Sequence, residues 1–401
     1  MKILFITTSY PPYIDMQTIR NEKLIQSLLD SGHLVTVLSP SGVSKVETSY
    51  VKNVENWKTK PPFFFRFTNF LEKKIKNKFL LKLVNVFGGT FLFPDIFAFW
   101  SIEAIKFLNK KDVKQFNLFI TSSGSFTSHF IGAKLSKKTG VSWVADYGDP
   151  WSLDKYGKTK FFVKYFETRV LKNCSLVFFT TKSTINFYKS FLNKNSISKK
   201  MILLPCGYDD MSKYYCDFNN DKKKIITYTG VAYSKDRDLT NAILAVGEKS
   251  DKVSLNIVGS YSSKYEEILN NDNSVKFEGR VSYEESLKII NESNILLHIG
   301  NFGVMQIPGK TYIYLATPRP IIYIRQEQGD DPTYNLLQSF KGILIVNNNK
   351  KDIYNAIEEL YLNYNYYLEL SKERVRSFEL EKYMWSNICN VFNQTISSYG
   401  T

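Results

Sequence analysis

Residues 2–39 read KILFITTSYPPYIDMQTIRNEKLIQSLLDSGHLVTVLS, and this stretch decides the fold. Residues 2–8 are a short apolar run of buried-strand character. Over residues 17–31 the apolar side chains Ile19, Leu24, Ile25, Leu28 and Leu29 recur at helical spacing, and residues 33–38 read as strand again. Strand, helix and strand in this order predict a parallel sheet with a right-handed crossover. The opening apolar run stops at Ser9-Tyr10-Pro11-Pro12, too short for a signal-peptide core, and no uncharged apolar run reaches the ~18 residues of a membrane span.

The same alternation continues outward. Strands are expected at residues 116–121, 142–145 and 175–180, with helices at 127–138 and 164–173. A polar, charged stretch at 207–224 reads as an exposed connection. Beyond it the pattern restarts, with strands at 225–229, 253–258, 274–277, 295–299 and 320–324. Helices are expected from 239 and near 265–269, 284–292 and 310–316. The predicted fold class is α/β, two Rossmann-like parallel-sheet domains facing across a cleft. Residues 1–207 form the first domain, 208–380 the second, and 381–401 a helix returning to the first.

Composition narrows the classes. The chain has 401 residues, 43% hydrophobic and 23% charged, which excludes disordered and fibrous proteins. Four cysteines lie far apart without a Cys-x-x-Cys, and the only histidines are His33, His129 and His298. A disulfide framework or structural metal is therefore not expected, and the cytoplasm is the natural compartment. The net charge of +15 is one-sided: residues 1–210 hold 31 basic and 15 acidic side chains, residues 211–401 hold 22 and 23. Residues 52–82 alone carry nine basic residues against Glu55 and Glu72, interleaved with seven aromatics including Trp57. This segment is either a solvated basic face or an element for the inner membrane surface, where lysines attract anionic lipid and aromatics insert. No nucleic-acid module is recognisable, so nucleic acid is not an expected partner.

Ligands of open parallel sheets bind beyond the carboxyl ends of the strands. The segments there are Ser9 to Tyr13, Thr121 to Ser125 and Asp146 to Trp151 in the first domain. In the second they are Gly230 to Arg237, Gly259 to Tyr261, Gly279-Arg280 and Gly300 to Lys310. Gly230 permits close backbone approach, while Lys235, Arg237 and Lys310 can neutralise a pyrophosphate. No Gly-x-x-x-x-Gly-Lys-Ser/Thr and no Gly-x-Gly-x-x-Gly after a strand is present, which removes P-loop hydrolysis and dinucleotide-dependent dehydrogenation.

Several motifs carry a resemblance. Lys2 to Pro12, Arg20 and Ser31 to Ser39 resemble the start of family 4 glycosyltransferases of the glycosyltransferase B fold. Ala145 to Trp151, Leu204 to Asp209, Ile307 to Ala316 and Pro318 to Ile322 are similar to later motifs in the same order. The resemblance implies transfer of a sugar from a nucleotide-sugar donor, with retention and without metal or cofactor. Its acceptor would be a glycan, lipid-linked as in bacterial surface-polysaccharide assembly, at the cytoplasmic membrane.

By the same resemblance, Lys235 or Arg237 and Lys310 are the pyrophosphate-binding pair, and Gly230, Arg280, His298, Pro308 and Gly309 face the donor. Asp149 and Lys310 are the catalytic candidates, and Tyr13, Arg20, Ser123, Asp146 and Trp151 face the acceptor or its loop. Asp149 can equally be a helix-entry cap before Pro150, and His129 and His298 can equally be satisfied core histidines. Many relatives carry two glutamates where this chain has Met305 and Ile313, which keeps a second reading open: a partner protein of the same fold without turnover. A nucleotide-sugar epimerase finds no clustered acid–base carboxylates to support it.

Overall fold

The structure, a computed structural model, describes residues 1–11, 15–41, 51–60, 93–148, 151–153, 160–191, 201–216, 223–232, 237–262, 265, 274–301, 305–326 and 329–399. The chain divides into two compact units, Met1–Pro205 with Ile388–Thr401, and Cys206–Asn387.

The first unit is built on seven strands: β1 (Lys2–Thr7), β2 (Leu34–Pro40), β3 (Glu55–Thr59), β4 (Leu118–Ser122), β5 (Ser142–Tyr147), β6 (Leu176–Phe179) and β7 (Met201–Leu203). They lie in the order β3-β2-β1-β4-β5-β6-β7, and every pairing is parallel. Five successive residues of β1 are buried, as a strand covered by helices on both faces requires. The helices are α1 (Met16–Asp30), α2 (Trp100–Leu108), α3 (Phe126–Thr139), α4 (Lys160–Lys172) and α5 (Lys182–Phe191). Asp15 caps α1 through the Thr18 amide at 2.6 Å, and Gly140 ends α3 in the left-handed conformation.

Sequence and structure differ at residues 52–82. Residues 55–59 do not leave the βα rhythm; they form the edge strand β3 beside β2. Trp57 is a core residue rather than a membrane-facing aromatic. Its ring meets Phe107 and Phe116 edge-on, and its indole N–H donates to Glu55 at 2.8 Å. Residues 61–82 lie outside the described residues.

The second unit repeats the topology. Its strands are β8 (Lys224–Ala232), β9 (Val253–Tyr261), β10 (Val275–Gly279), β11 (Ile295–Ile299), β12 (Ile321–Arg325) and β13 (Ile343–Asn347), in the parallel order β10-β9-β8-β11-β12-β13. Its helices are α6 (Thr240–Gly247), α7 (Tyr283–Glu292), α8 (Gly309–Leu315), α9 (Pro332–Leu337), α10 (Lys350–Leu362), α11 (Tyr364–Val375), α12 (Phe378–Glu381) and α13 (Trp385–Ser397). From Ile388 onward α13 belongs to the first unit: Phe392 packs on Phe178, and the Asn393 amide donates to the Ser27 carbonyl at 3.0 Å. Arg374 on α11 is buried and donates to the carbonyls of Leu315, Thr317, Arg319, Lys341 and Gly342, tying that helix to the strand-entry side of the sheet.

In each sheet the strand order reverses at one point, between β1 and β4 and between β8 and β11. The carboxyl ends of these central strands are where a crevice forms in doubly wound sheets.

Candidate functional site

The switch point of the second unit brings Gly230, Lys310 and Arg237 together. Gly230 near the end of β8 has φ +121°, which excludes an ordinary side chain; a Cβ there would stand 3.6 Å from Lys310 Nζ. Lys310, the second residue of α8, reaches back to β8 and donates to the Thr229 carbonyl at 2.8 Å. Its ammonium lies 3.9 Å from the centre of the Tyr228 ring. Arg237 is held by the Asn301 side chain through a 2.7 Å hydrogen bond. Gly259, with φ +140°, closes the adjoining strand end; a Cβ would run into the Gly230 carbonyl oxygen.

Electrostatics separate this cluster from ordinary surface lysines. Burial, and then the Arg237 charge, holds the Lys310 ammonium well below the usual lysine range. Among the described residues no carboxylate contacts either cation. Two cations converging without a counter-charge stabilise an oxyanion entering between them, and an anion would in turn restore the protonated form of Lys310.

His298 is not a donor contact. It is fully buried; Nδ1 lies 3.0 Å from the Ile299 carbonyl and Nε2 2.8 Å from Thr311 Oγ1. The carbonyl can only accept, so Nδ1 carries the proton and Nε2 accepts from Thr311. Burial and the charges of Lys310 and Arg237 hold the ring neutral. Its role is to fix the first turn of α8, which carries Lys310. Pro308 precedes α8 and Gly309 begins it. Arg280, at the end of β10, is exposed and donates to Ser260 Oγ on β9 at 2.8 Å. Ile313 is buried, while Met305 is half-buried, and neither offers a carboxylate. Lys235 lies outside the described residues.

At the switch point of the first unit, the carboxyl ends of β4 and β5 meet α1 in a polar network. Arg20 and Asp146 are both buried and form an ion pair at 2.7 Å, so neither is an exposed acceptor contact. Ser122 Oγ donates to Asn21 Oδ1 at 2.6 Å, and the Gln17 amide donates to Ser122 Oγ at 2.7 Å and to Asp146 at 3.3 Å. Ser123 Oγ accepts from the Gly148 amide at 2.7 Å, which ties the turn after β4 to the loop after β5. The sequence pointed to these segments; burial turns their charged and hydroxyl groups into the frame of the edge. Tyr13 and Asp149 lie outside the described residues.

Trp151 follows that loop and stacks on Phe126 with ring centres 4.0 Å apart. Its position depends on a residue that the sequence reading missed. Glu167 on α4 is fully buried and accepts from Tyr147, Tyr188, the amides of Trp151 and Ser152, and the Ser152 hydroxyl. Burial pushes its carboxyl up, against the opposing pull of these hydrogen bonds. A signal existed: Glu167 stands on the inward stripe of α4, between Val163 and Val170. His129, stacked on Tyr147, is also buried; Thr121 Oγ1, which accepts from the Trp143 indole N–H, lies 2.8 Å from His129 Nδ1.

No family model matches the sequence, and no curated protein matches it. Solved structures do. Over 99% of this chain and 100% of the other, the fold is similar to HepE of Anabaena in complex with UDP-glucose, at 12% identity and a TM-score of 0.68. It is also similar to WaaG, a glycosyltransferase involved in lipopolysaccharide biosynthesis, over 97% and 99% of the two chains (11% identity, TM-score 0.67). The catalytic domain of starch synthase IV from Arabidopsis thaliana, bound to ADP and acarbose, matches over 99% of both chains (11% identity, TM-score 0.63). With two parallel sheets of the same switched order along nearly the whole length of these relatives, the chain has the glycosyltransferase B fold.

Proposed function

We propose that the protein is a nucleotide-sugar-dependent glycosyltransferase. The second unit takes the donor, with Lys310 and Arg237 on its diphosphate and Gly230 giving the phosphate access to the backbone. The observation that carries this reading is the pair of uncompensated cations at the switch point of that sheet. The similarity to proteins solved with UDP, UDP-glucose or ADP supports it.

As the glycosidic bond to the donor breaks, negative charge builds on the departing diphosphate. Preorganised cations stabilise that charge more than they stabilise the bound donor, which lowers the barrier. Transfer with retention and without metal, to a lipid-linked glycan at the cytoplasmic membrane surface, is the finer reading, supported by the resemblance to family 4 enzymes. Lys235 then shares the diphosphate, Arg280 stands beside the donor, Asp149 acts on the acceptor side, and Tyr13, Ser123 and Trp151 belong to the acceptor edge.

A thermal-shift panel with uridine, guanosine, adenosine and cytidine diphosphates tests the proposal, followed by donor turnover with the matching nucleotide sugars. One nucleotide should raise the melting temperature with occupancy and its sugar should turn over. No shift with any of the four and no turnover would overturn it. A second reading, a non-catalytic partner, is favoured by one observation: buried Ile313 and half-buried Met305 stand where many relatives carry glutamates. It predicts weak or absent nucleotide binding and co-purification with an active transferase.

A further inference from the structure

Helices α2, α3 and α4 share a surface pattern that neither the core nor the donor site uses. Each leads into a parallel strand, α2 into β4, α3 into β5 and α4 into β6, so all three run antiparallel to the sheet and parallel to one another; α3 touches both α2 and α4, and Asp95 just before α2 accepts from the Thr127 amide in the first turn of α3. On α2 the inward stripe is Trp100, Ala104 and Leu108, continued before the helix by Phe97, while the opposite stripe begins with exposed Phe99 at the N-cap and Ile102 before reaching Lys106. On α3 the outward stripe runs from exposed Phe130 to Lys134, Lys137 and Lys138. On α4 it runs from exposed Tyr165 and Phe166 to Arg169 and Lys172.

The register recurs: the exposed apolar side chains lie in the first half of each helix and basic ones in the second, with exposed Lys164 on α4 a further cation beside Tyr165. Because the helices are parallel, these halves line up as two bands, an apolar one toward the carboxyl edge of the sheet and a basic one beside it. Four residues of helix separate Phe130 from Lys134, which is about 6 Å. The apolar band continues to the acceptor edge, since Phe93 packs on both Phe166 and Trp151 with ring centres 5.0 and 5.3 Å away. Of the two acidic side chains on these helices, Glu103 and Glu167, the second is buried.

From these bands we infer that the α2–α3–α4 face is a docking surface for an anionic lipid bilayer. A bilayer presents, within ~5–10 Å, an apolar layer and a layer of phosphates, which is the spacing of the two bands. A second copy docked with its two-fold axis across the bands would bring basic band against basic band. A nucleic acid would satisfy the basic band and leave the apolar one in water. Docked this way, the protein holds Trp151 and the carboxyl edge of the first sheet beside the bilayer, where the headgroup of a lipid-linked acceptor lies. That last step rests on the transferase reading; the docking itself does not.

Vesicle co-sedimentation of the full chain tests the inference, with phosphatidylcholine vesicles alone and with about one-third phosphatidylglycerol. Binding is expected to the anionic vesicles only. Lys134→Ala/Lys137→Ala/Lys138→Ala should weaken it about a hundredfold, since each basic residue near the surface contributes about fivefold. Phe99→Ser/Tyr165→Ser should still bind at low salt and detach at high salt, where the electrostatic part is screened. All five positions are exposed, so melting temperature and nucleotide affinity serve as controls and should stay at the wild-type values. A wild-type protein that stays in the supernatant, or variants that bind as tightly as wild type, would overturn the surface without touching the transferase reading. A dimer that the same variants dissociate would assign the face to a second copy instead.

Discussion

Arg20 on α1 and Asp146 at the end of β5 form a buried ion pair whose guanidinium also holds the last residues of the first unit. Nε reaches both Asp146 oxygens at 3.2 and 3.0 Å, and one terminal nitrogen reaches Oδ1 at 2.7 Å. The two terminal nitrogens also donate to the carbonyls of Leu204 at 3.0 Å and Pro205 at 2.8 Å. One side chain thus joins the first helix, a central strand and the point where the chain leaves the unit. Arg20→Ala would leave a buried carboxylate without its counter-charge, held only by neutral donors such as the Gln17 amide, and would take a donor from two carbonyls. It should lose about 3–5 kcal/mol in chemical denaturation. Arg20→Ala combined with Asp146→Ala should cost clearly less than the two single losses added together.

Lys310→Met keeps the apolar stem and removes the charge that burial disfavours. The variant should fold with equal or higher melting temperature while nucleoside diphosphate affinity falls by about two orders of magnitude, the scale of a lost charged phosphate contact. Thermal unfolding reads the first effect and calorimetric titration the second; an unchanged affinity would remove Lys310 from the donor site.

Proton linkage gives an independent check. The folded pKa of Lys310 lies well below the unfolded value of 10.5, so between the two the unfolded chain binds the extra proton and stability without ligand rises with pH. A diphosphate favours the charged form, so binding in that window should take up a proton. Titrations in buffers of different ionisation enthalpy should show uptake that disappears in Lys310→Met.

Two neutral buried histidines weaken the fold in acid, against buried carboxyls such as Glu167 whose raised pKa works the other way. Burial holds His129 at about 3 and pushes His298 well below 6.5. As pH falls below 6.5 the unfolded chain takes protons that the folded chain refuses. Stability should therefore drop by ~1.4 kcal/mol per pH unit for each ring, levelling for His129 near its folded value. His129→Gln should remove about one proton from the slope of urea-unfolding free energy measured from pH 6.5 to 4.

Glu167→Ala should act on the acceptor edge without touching the donor site. The loop after β5 loses its anchor, so acceptor KM should rise and kcat fall while nucleotide affinity stays constant; Glu167→Gln should recover part of the activity, because its carbonyl can still accept from the Trp151 and Ser152 amides.

The order of elements was readable along the chain because period-two and helical patterning are properties of neighbouring residues. Residues 2–39 already contained β1, α1 and β2, and the glycines and cations after the strands marked the edge where ligands bind. Basic and aromatic richness in residues 52–82 misled at Trp57, because composition does not say which side of a strand faces the core. The banding of α2, α3 and α4 was invisible for the same reason: each helix alone is an ordinary amphipathic pattern, and only parallel alignment makes three of them a surface.

Roles of charged residues stand at the far end of that scale. Arg20 and Asp146 are 126 positions apart, and Lys310 meets the Thr229 carbonyl across 81. Local patterning carries no information about such distances, because they arise when the crossover helices bring strand ends together. Burial then decides the chemistry: Arg20 finds a carboxylate in the folded core and becomes framework, whereas Lys310 and Arg237 meet none among the described residues and remain able to hold an anion.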